Sequence, residues 1–309
     1  MANWWYKKMN APNQESFRSG YVSIIGEPNV GKSTLLNGMM GEKLAIVTPK
    51  PQTTRNRIMG IVTTEGYQII FLDTPGIVAP KYLLHDAMVT TAYHAIKDAD
   101  LIIYMVDGSQ LPPALETQIF ERIRETESKT VFLVINKIDL LGASALLPII
   151  AEYSGKFSFV EIVPISARKS SDVLQLRDQI VAHLPIGPHY FPDDQISDLP
   201  ERFFVSETVR EKIFLKTQQE IPYASGVTVE EFKHRSNGKV YIRAIIYTER
   251  LSQKRILIGD RGGMIKQIGK LAREEIEQFL NAPVFLELQV SVKGDWRRDA
   301  RKLKDMGYA

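Results

Sequence analysis

The chain contains no cysteine, so no disulfide can brace it and no thiolate can hold a metal. That suits a reducing cytosol. Long apolar runs are also missing: the longest are pieces such as Leu101-Ile102-Ile103-Tyr104-Met105-Val106, far short of a bilayer span. The opening residues Met1-Ala2-Asn3-Trp4-Trp5-Tyr6-Lys7-Lys8 lack the apolar stretch and small-residue cleavage site of a secretory signal. Residues 1–18 read as a tail, whose Trp-Trp-Tyr cluster is read as an exposed extension, with a membrane or partner anchor as the alternative. The five histidines are scattered without metal-ligand spacing.

What is present is a chain of 309 residues, 44% apolar and 24% charged, long enough for two domains with substantial cores. Its net charge of +3 conceals an asymmetry. Residues 201–309 hold 21 Lys and Arg against 15 Asp and Glu, whereas residues 1–200 hold 18 against 21. A basic carboxyl-terminal third is either a module for a polyanion or an ordinary solvated surface, and charge alone leaves both open.

Short apolar runs recur at Tyr21–Ile25, Tyr67–Leu72, Leu101–Val106, Val131–Ile135 and Phe159–Ile165, with helical patterns between them such as Pro113–Thr126 and Ala145–Tyr153. The alternation predicts an α/β domain over residues 19–184, with a mixed, mostly parallel sheet and helices on both faces. Functional loops then lie at the carboxyl ends of the strands.

Gly26-Glu27-Pro28-Asn29-Val30-Gly31-Lys32-Ser33 follows the first of these runs and Thr34 leads into a helix. This is the phosphate-binding loop pattern in its strand-loop-helix setting. The glycines let backbone N–H groups turn inward onto phosphate oxygens, Lys32 reaches the β- and γ-phosphates, and the Ser33 hydroxyl ligates Mg²⁺. Thr53 or Thr54, in the irregular stretch Val47-Thr48-Pro49-Lys50-Pro51-Gln52-Thr53-Thr54-Arg55, can swing onto the same ion when a γ-phosphate is present. Asp73-Thr74-Pro75-Gly76 ends a strand, placing a carboxylate for a Mg²⁺-bound water and the Gly76 N–H against the γ-phosphate.

Asn136-Lys137-Ile138-Asp139 supplies the base reader. The Asp139 carboxylate accepts from both N1–H and N2–H₂ of guanine, donors that adenine lacks, so the wrong base leaves an acceptor unpaired. Asn136 ties this loop to the phosphate loop and the Lys137 stem lies over the base. Ser166-Ala167-Arg168 presents backbone N–H groups to guanine O6. Ile77 stands where Ras carries the glutamine that orients the attacking water, so water positioning and charge neutralisation fall to other groups. The four elements, from phosphate loop to Ser-Ala-Arg, make the domain resemble the translation-factor-like small GTPases. In GTPases of that kind an asparagine at the place of Asn29 helps hold a potassium ion; the alternative is that Asn29 stabilises its turn.

The segment 185–200 contains four of the chain's prolines and reads as a semi-rigid linker. Residues 201–309 follow as a smaller α+β domain. A helix over Glu201–Glu220 precedes strands Gly226–Lys233 and Lys239–Glu249, then Gly259-Asp260-Arg261-Gly262 leads into a long helix, a strand Val284–Val292 and a basic terminal helix Trp296–Met306. An Ile-Gly-x-x-Gly loop in this order is similar to a KH domain, whose glycines let a nucleic-acid backbone come close. Arg261, Lys266 and Lys270 supply phosphate contacts around it. Asp260, an acid within the loop, opposes them.

Taken together, these motifs, with Pro-Gln-Thr-Thr-Arg and Leu199-Pro200-Glu201-Arg202, closely resemble the Era family of bacterial GTPases across about residues 19–309. The resemblance implies a P-loop GTPase domain of the translation-factor-like branch followed by a KH domain. It implies GTP hydrolysis with GTP or GDP and Mg²⁺ as cofactors, and catalytic roles for Lys32, Gly76 and Asn29. The partners implied are the 3′ end of small-subunit (16S) ribosomal RNA and the 30S subunit, whose maturation the protein assists. A monomer in the cytoplasm, partly peripheral at the inner membrane, is also implied. Two alternatives stay open: a GTPase of the same branch acting on large-subunit RNA or tRNA, and a constitutive RNA-binding chaperone with a vestigial nucleotide site.

Overall fold

The computed structural model describes residues 17–110, 116–126, 129–142 and 144–308. The Trp-Trp-Tyr cluster and the start of the helical pattern at Pro113 lie outside them. The chain divides into two units, one comprising residues 1–45, 56–78 and 89–198, the other residues 46–55, 79–88 and 199–309. Two short segments expected within the first domain thus group with the second.

The first unit is built on a six-stranded sheet: β1 (Arg18–Ile25), β2 (Ile58–Thr63), β3 (Tyr67–Asp73), β4 (Leu101–Asp107), β5 (Thr130–Asn136) and β6 (Glu161–Pro164). The order is β2-β3-β1-β4-β5-β6, parallel except for β2, which runs antiparallel to β3. All seven residues of β4 are buried, which is why it reads as an unbroken apolar run instead of an alternating one. The helices are α1 (Lys32–Met40), α2 (Leu83–Asp98), α3 (Glu116–Arg124), α4 (Leu146–Ser154) and α5 (Ser170–His183). The boundary between the units runs through α2. Because β1 pairs with β3 on one side and β4 on the other, the loop after β1 opens at the point where strand order reverses, the position at which open α/β sheets bind ligands.

Two expectations change. Phe17 and Arg18, expected in the tail, belong to the first unit: Phe17 is buried and stacks on His189 at 3.9 Å, and Arg18 starts β1. The proline-rich segment, expected as a semi-rigid linker, is hydrogen-bonded onto the first unit. Ile196 accepts the Ile61 N–H at 2.9 Å, Ser197 Oγ donates to the Met59 carbonyl at 2.6 Å, and Gln68 Oε1 accepts from the Tyr190 and Phe191 N–H groups. The segment therefore covers the edge strand β2, whose N–H and C=O groups would otherwise be open to pairing.

The second unit carries α6 (Glu201–Lys216), α7 (Ile221–Ala224), β7 (Gly226–His234), β8 (Val240–Thr248), α8 (Leu251–Ile258), α9 (Gly263–Leu280), β9 (Val284–Val292) and α10 (Ala300–Asp305). β8 is central, antiparallel to β7 and parallel to β9. Ile268, Ala272 and Ile276 recur every fourth residue on α9 and are buried together with Val205 and Val209 of α6 and Ile242 and Ala244 of β8. The expected order of helix, two strands, glycine loop, long helix and strand is present, and the structure adds α8 between β8 and the glycine loop.

Candidate functional site

The loop after β1 owes its shape to backbone that most residues avoid: Gly31 has φ of 109° and Asn29 has φ of 64°. A Cβ on Gly31 would stand 2.2 Å from Asn136 Nδ2, so this position has no room for a side chain. Lys32 opens α1, is buried, and folds its ammonium back onto the Gly26 and Glu27 carbonyls at 3.1 and 2.8 Å. Burial pushes its pKa down to about 8, against the opposing pull of Asp73 and Glu27.

Ser33 Oγ donates to Asp73 Oδ2 at 2.7 Å, so the two expected Mg²⁺ residues meet although forty positions separate them. The other carboxylate oxygen, Asp73 Oδ1, is buried with no hydrogen-bond partner among the described residues. Burial raises the Asp73 pKa to about 6, with Lys32 and the Ser33 hydroxyl pulling the other way. An unmatched buried carboxylate oxygen beside a hydroxyl suits a hard, oxygen-seeking cation that completes its shell with water and phosphate oxygens. Among the described residues no group of three His, Cys, Asp or Glu could hold a metal ion.

Thr74 Oγ1 donates to the Ile24 carbonyl at 2.9 Å, locking the end of β3 to β1 rather than facing a ligand. A Cβ on Gly76 would lie 2.6 Å from the Pro28 nitrogen, so only glycine brings this backbone against the phosphate loop. The next residue, Ile77, donates its N–H to the Gly26 carbonyl at 3.1 Å and sits in the apolar core. This side chain cannot handle water.

The base-reading loops converge on Asn136. Its Nδ2 donates to the Val30 carbonyl at 2.7 Å and its Oδ1 accepts the Ala167 N–H at 2.8 Å, joining phosphate loop, β5 and the Ser-Ala-Arg turn through one buried amide. Asp139 is exposed, and a hydrogen bond with the Ser166 side chain, aided by Arg168 and Lys169, holds its carboxyl below the usual range. It is ionised and ready to accept. The expectation for the Ser-Ala-Arg amides narrows, because the Ser166 N–H is spent on Asp172 Oδ2 at 2.8 Å and the Ala167 N–H on Asn136. Arg168 keeps the remaining amide of that turn.

Two residues that motif reading missed orient this site. Asp107, at the end of β4, pairs with Lys137 Nζ at 2.6 Å and accepts from the Ser109 N–H and hydroxyl, so Lys137 is fixed before any base arrives. Although burial works to raise it, these bonds hold the Asp107 carboxyl below its ordinary range. Asp172 does the same for the Ser166 turn. A lone acid at a strand end or in a helix carries no pattern by which to find it.

Thr53 and Thr54 belong to the second unit. Thr53 Oγ1 lies 2.6 Å from Thr48 Oγ1 and 2.7 Å from the Lys50 carbonyl. In the glycine loop Arg261 has φ of 46° and Gly262 φ of 77°, and nothing lies within 4 Å of where a Gly262 Cβ would be. That open ground is what a nucleic-acid backbone needs. Arg261, Lys266 and Lys270 are exposed, the last two one turn apart on α9, with Lys270 3.8 Å from Glu274. Asp260 is exposed beside them.

Residues 21–137 match the family model for 50S ribosome-binding GTPase, and residues 220–297 match that for KH domain. Over 293 residues the chain is 51% identical to GTPase Era of Geobacter metallireducens, covering 94% of this chain and 98% of that one. The chain belongs to the GTPase Era family. GTPase Era of Ruminiclostridium cellulolyticum is 44% identical over 95% of this chain and 98% of its own. Two solved Era structures superpose with a TM-score of 0.91 at 42% identity over 95% of this chain. One is an Aquifex aeolicus Era variant bound to GDP and AlF4⁻, covered in full. The other, covered to 99%, is Era in complex with MgGDPNP and nucleotides 1506-1542 of 16S ribosomal RNA. Era architecture, a GTPase domain followed by a KH domain, is therefore that of this chain. Among its described residues no helix is long and apolar enough to cross a membrane.

Proposed function

We propose that this Era-family chain binds and hydrolyses GTP in its first unit and holds the 3′ end of 16S ribosomal RNA with its KH unit, assisting maturation of the 30S subunit. The observation that carries the reading is the Asn136 junction, which holds the phosphate loop and the guanine-reading loops in register without a ligand. A vestigial nucleotide site would have no use for that preorganisation, nor for a buried lysine and carboxylate that burial opposes. The 16S RNA is favoured over large-subunit RNA or tRNA because the likeness to the RNA-bound Era structure spans both units, whereas the 50S-binding family model matches only residues 21–137.

Ser33 and Asp73 hold Mg²⁺, joined by Thr53 or Thr54 in the GTP state. When bound, the ion would supply charge neutralisation at the phosphates. Lys32 leaves the Gly26 and Glu27 carbonyls for phosphate oxygens, and the Gly76 N–H meets the γ-phosphate. With Ile77 buried, charge developing on the phosphates is offset by other means. Asn29 holding a potassium ion is the reading we favour, and equal turnover in sodium and potassium buffers would contradict it. GTP orders the Thr53-Thr54 stretch and the segment after Gly76, hydrolysis relaxes them, and RNA is released. The protein acts as a cytoplasmic monomer, with part of it peripheral at the inner membrane.

Crosslinking the protein to total RNA and sequencing the adducts tests the assignment. Adducts centred on the 16S 3′ end support it; adducts on 23S RNA or tRNA overturn it.

A further inference from the structure

The segment 46–55 that carries Thr53 and Thr54 is fastened to the KH unit at three places. The Val47 N–H donates to Glu211 Oε1 on α6 at 3.2 Å. Lys50 Nζ donates to the Phe214 and Thr217 carbonyls, at the end of α6 where helix carbonyls lack partners and the dipole favours a cation. The third attachment is Arg55, only 4% exposed. Its guanidinium donates to the Ser225 carbonyl at 2.8 Å, the Tyr223 carbonyl at 3.0 Å and the Pro222 carbonyl at 3.2 Å. The Tyr308 hydroxyl accepts from it at 3.4 Å, and Trp296 and Tyr308 present rings at 5.6 Å.

None of those acceptors is charged. A buried cation held by carbonyl dipoles and ring faces depends on several of them at once, and a guanidinium, with donors spread across a plane, is the side chain that can reach them together. The walls of this cage also hold the second segment: Leu84 and Met88 pack in one cluster with Trp296, Leu303, Met306 and Tyr308. His85 Nε2 stands 3.0 Å from Gln52 Oε1, joining the two segments directly.

Arg55 directly follows Thr54, and the chain passes to the first unit at Asn56. One residue of backbone spans less than about 4 Å, so a larger excursion of Thr54 toward a γ-phosphate must move Arg55 or its cage. We propose that Arg55 is a positioning residue whose seat in the Trp296–Tyr308 cage transmits nucleotide state to the KH unit. The inference rests on the switch reading given above and adds the residue that carries it. By linkage, RNA bound to the KH unit must act back on nucleotide binding through the same seat.

The test uses the full chain and an RNA matching nucleotides 1506-1542 of 16S ribosomal RNA. RNA affinity is measured with GDP and with a non-hydrolysable GTP analogue, for the parent, Arg55→Ala, Arg55→Lys and Tyr308→Phe. The parent is expected to distinguish the two nucleotides by about fivefold or more, and Arg55→Ala by less than about twofold. Arg55→Lys, which keeps the charge but loses the planar set of donors, is expected to fall between them, and Tyr308→Phe, which keeps the ring, to stay near the parent. A merely structural role would lower both affinities together and leave their ratio alone. Arg55→Ala or Arg55→Lys keeping the parent's ratio would overturn the proposal; should Arg55→Ala not fold, Arg55→Lys decides. A parent that binds RNA equally in both states overturns the switch reading itself, and the proposal with it.

Discussion

Asn136 donates its side-chain amide to the Val30 carbonyl at 2.7 Å, so the residue that opens the guanine-reading loop also props the phosphate loop. Base recognition and phosphate recognition are therefore coupled before ligand arrives.

Replacing Asn136 with alanine leaves the Val30 carbonyl and the Ala167 N–H without their partner in a buried setting. We expect a loss of about 2–4 kcal/mol in stability, and a fall in GTP affinity larger than that caused by altering Asp139 alone. Urea unfolding and calorimetric titration of the same variant check both.

Asp139→Asn exchanges one of two acceptors for a donor. Guanine then loses an acceptor for its amino group, and affinity for GTP is expected to fall by about 100-fold. Xanthosine triphosphate, with an oxygen where guanine has its amino group, is expected to gain. Competition binding with the two nucleotides measures the exchange.

The nucleotide-free protein should show an alkaline rise in stability traceable to Lys32. Its folded pKa of about 8 lies below the ordinary 10.5, so between those pH values the unfolded chain binds more protons than the folded one. Stability contributed by this group therefore increases from pH 8 toward 10.5, by on the order of 3 kcal/mol. The Asp73 carboxyl has the opposite sign: its pKa, raised to about 6, makes stability fall as pH rises from about 4 to 6. Unfolding curves of the parent and Lys32→Met at a series of pH values test the first claim, since the alkaline rise should be smaller in the variant.

Gly262→Val fills the open ground over the glycine loop and forces a β-branched residue to φ of 77°. RNA affinity is expected to drop by at least about tenfold, with Gly262→Ala milder, as read by filter binding or fluorescence anisotropy.

Much of this was legible in the residues themselves. β4 and β5 are buried on both faces, so they stand out as apolar runs, and the phosphate loop and Asn-Lys-Ile-Asp are local patterns set by what phosphate and guanine require. What escaped reading depends on partners distant in sequence. β2 is an edge strand broken by Gly60 and paired antiparallel, so it lacked the signature of its neighbours. The prolines of 185–200 argued for a spacer, but Gln68 and β2 hold that stretch down. Arg55 read as the last letter of a loop motif because its cage is assembled from Pro222 to Tyr308. Asp107 and Asp172 act only through the residues they orient, and no spacing announces that.

The most direct measurement is calorimetric titration of the purified chain with GTP and with ATP in the presence of Mg²⁺. We predict saturable binding of GTP, and ATP weaker by about 100-fold or more, because adenine offers neither donor that Asp139 requires. Equal affinity for the two nucleotides would contradict the account at its root.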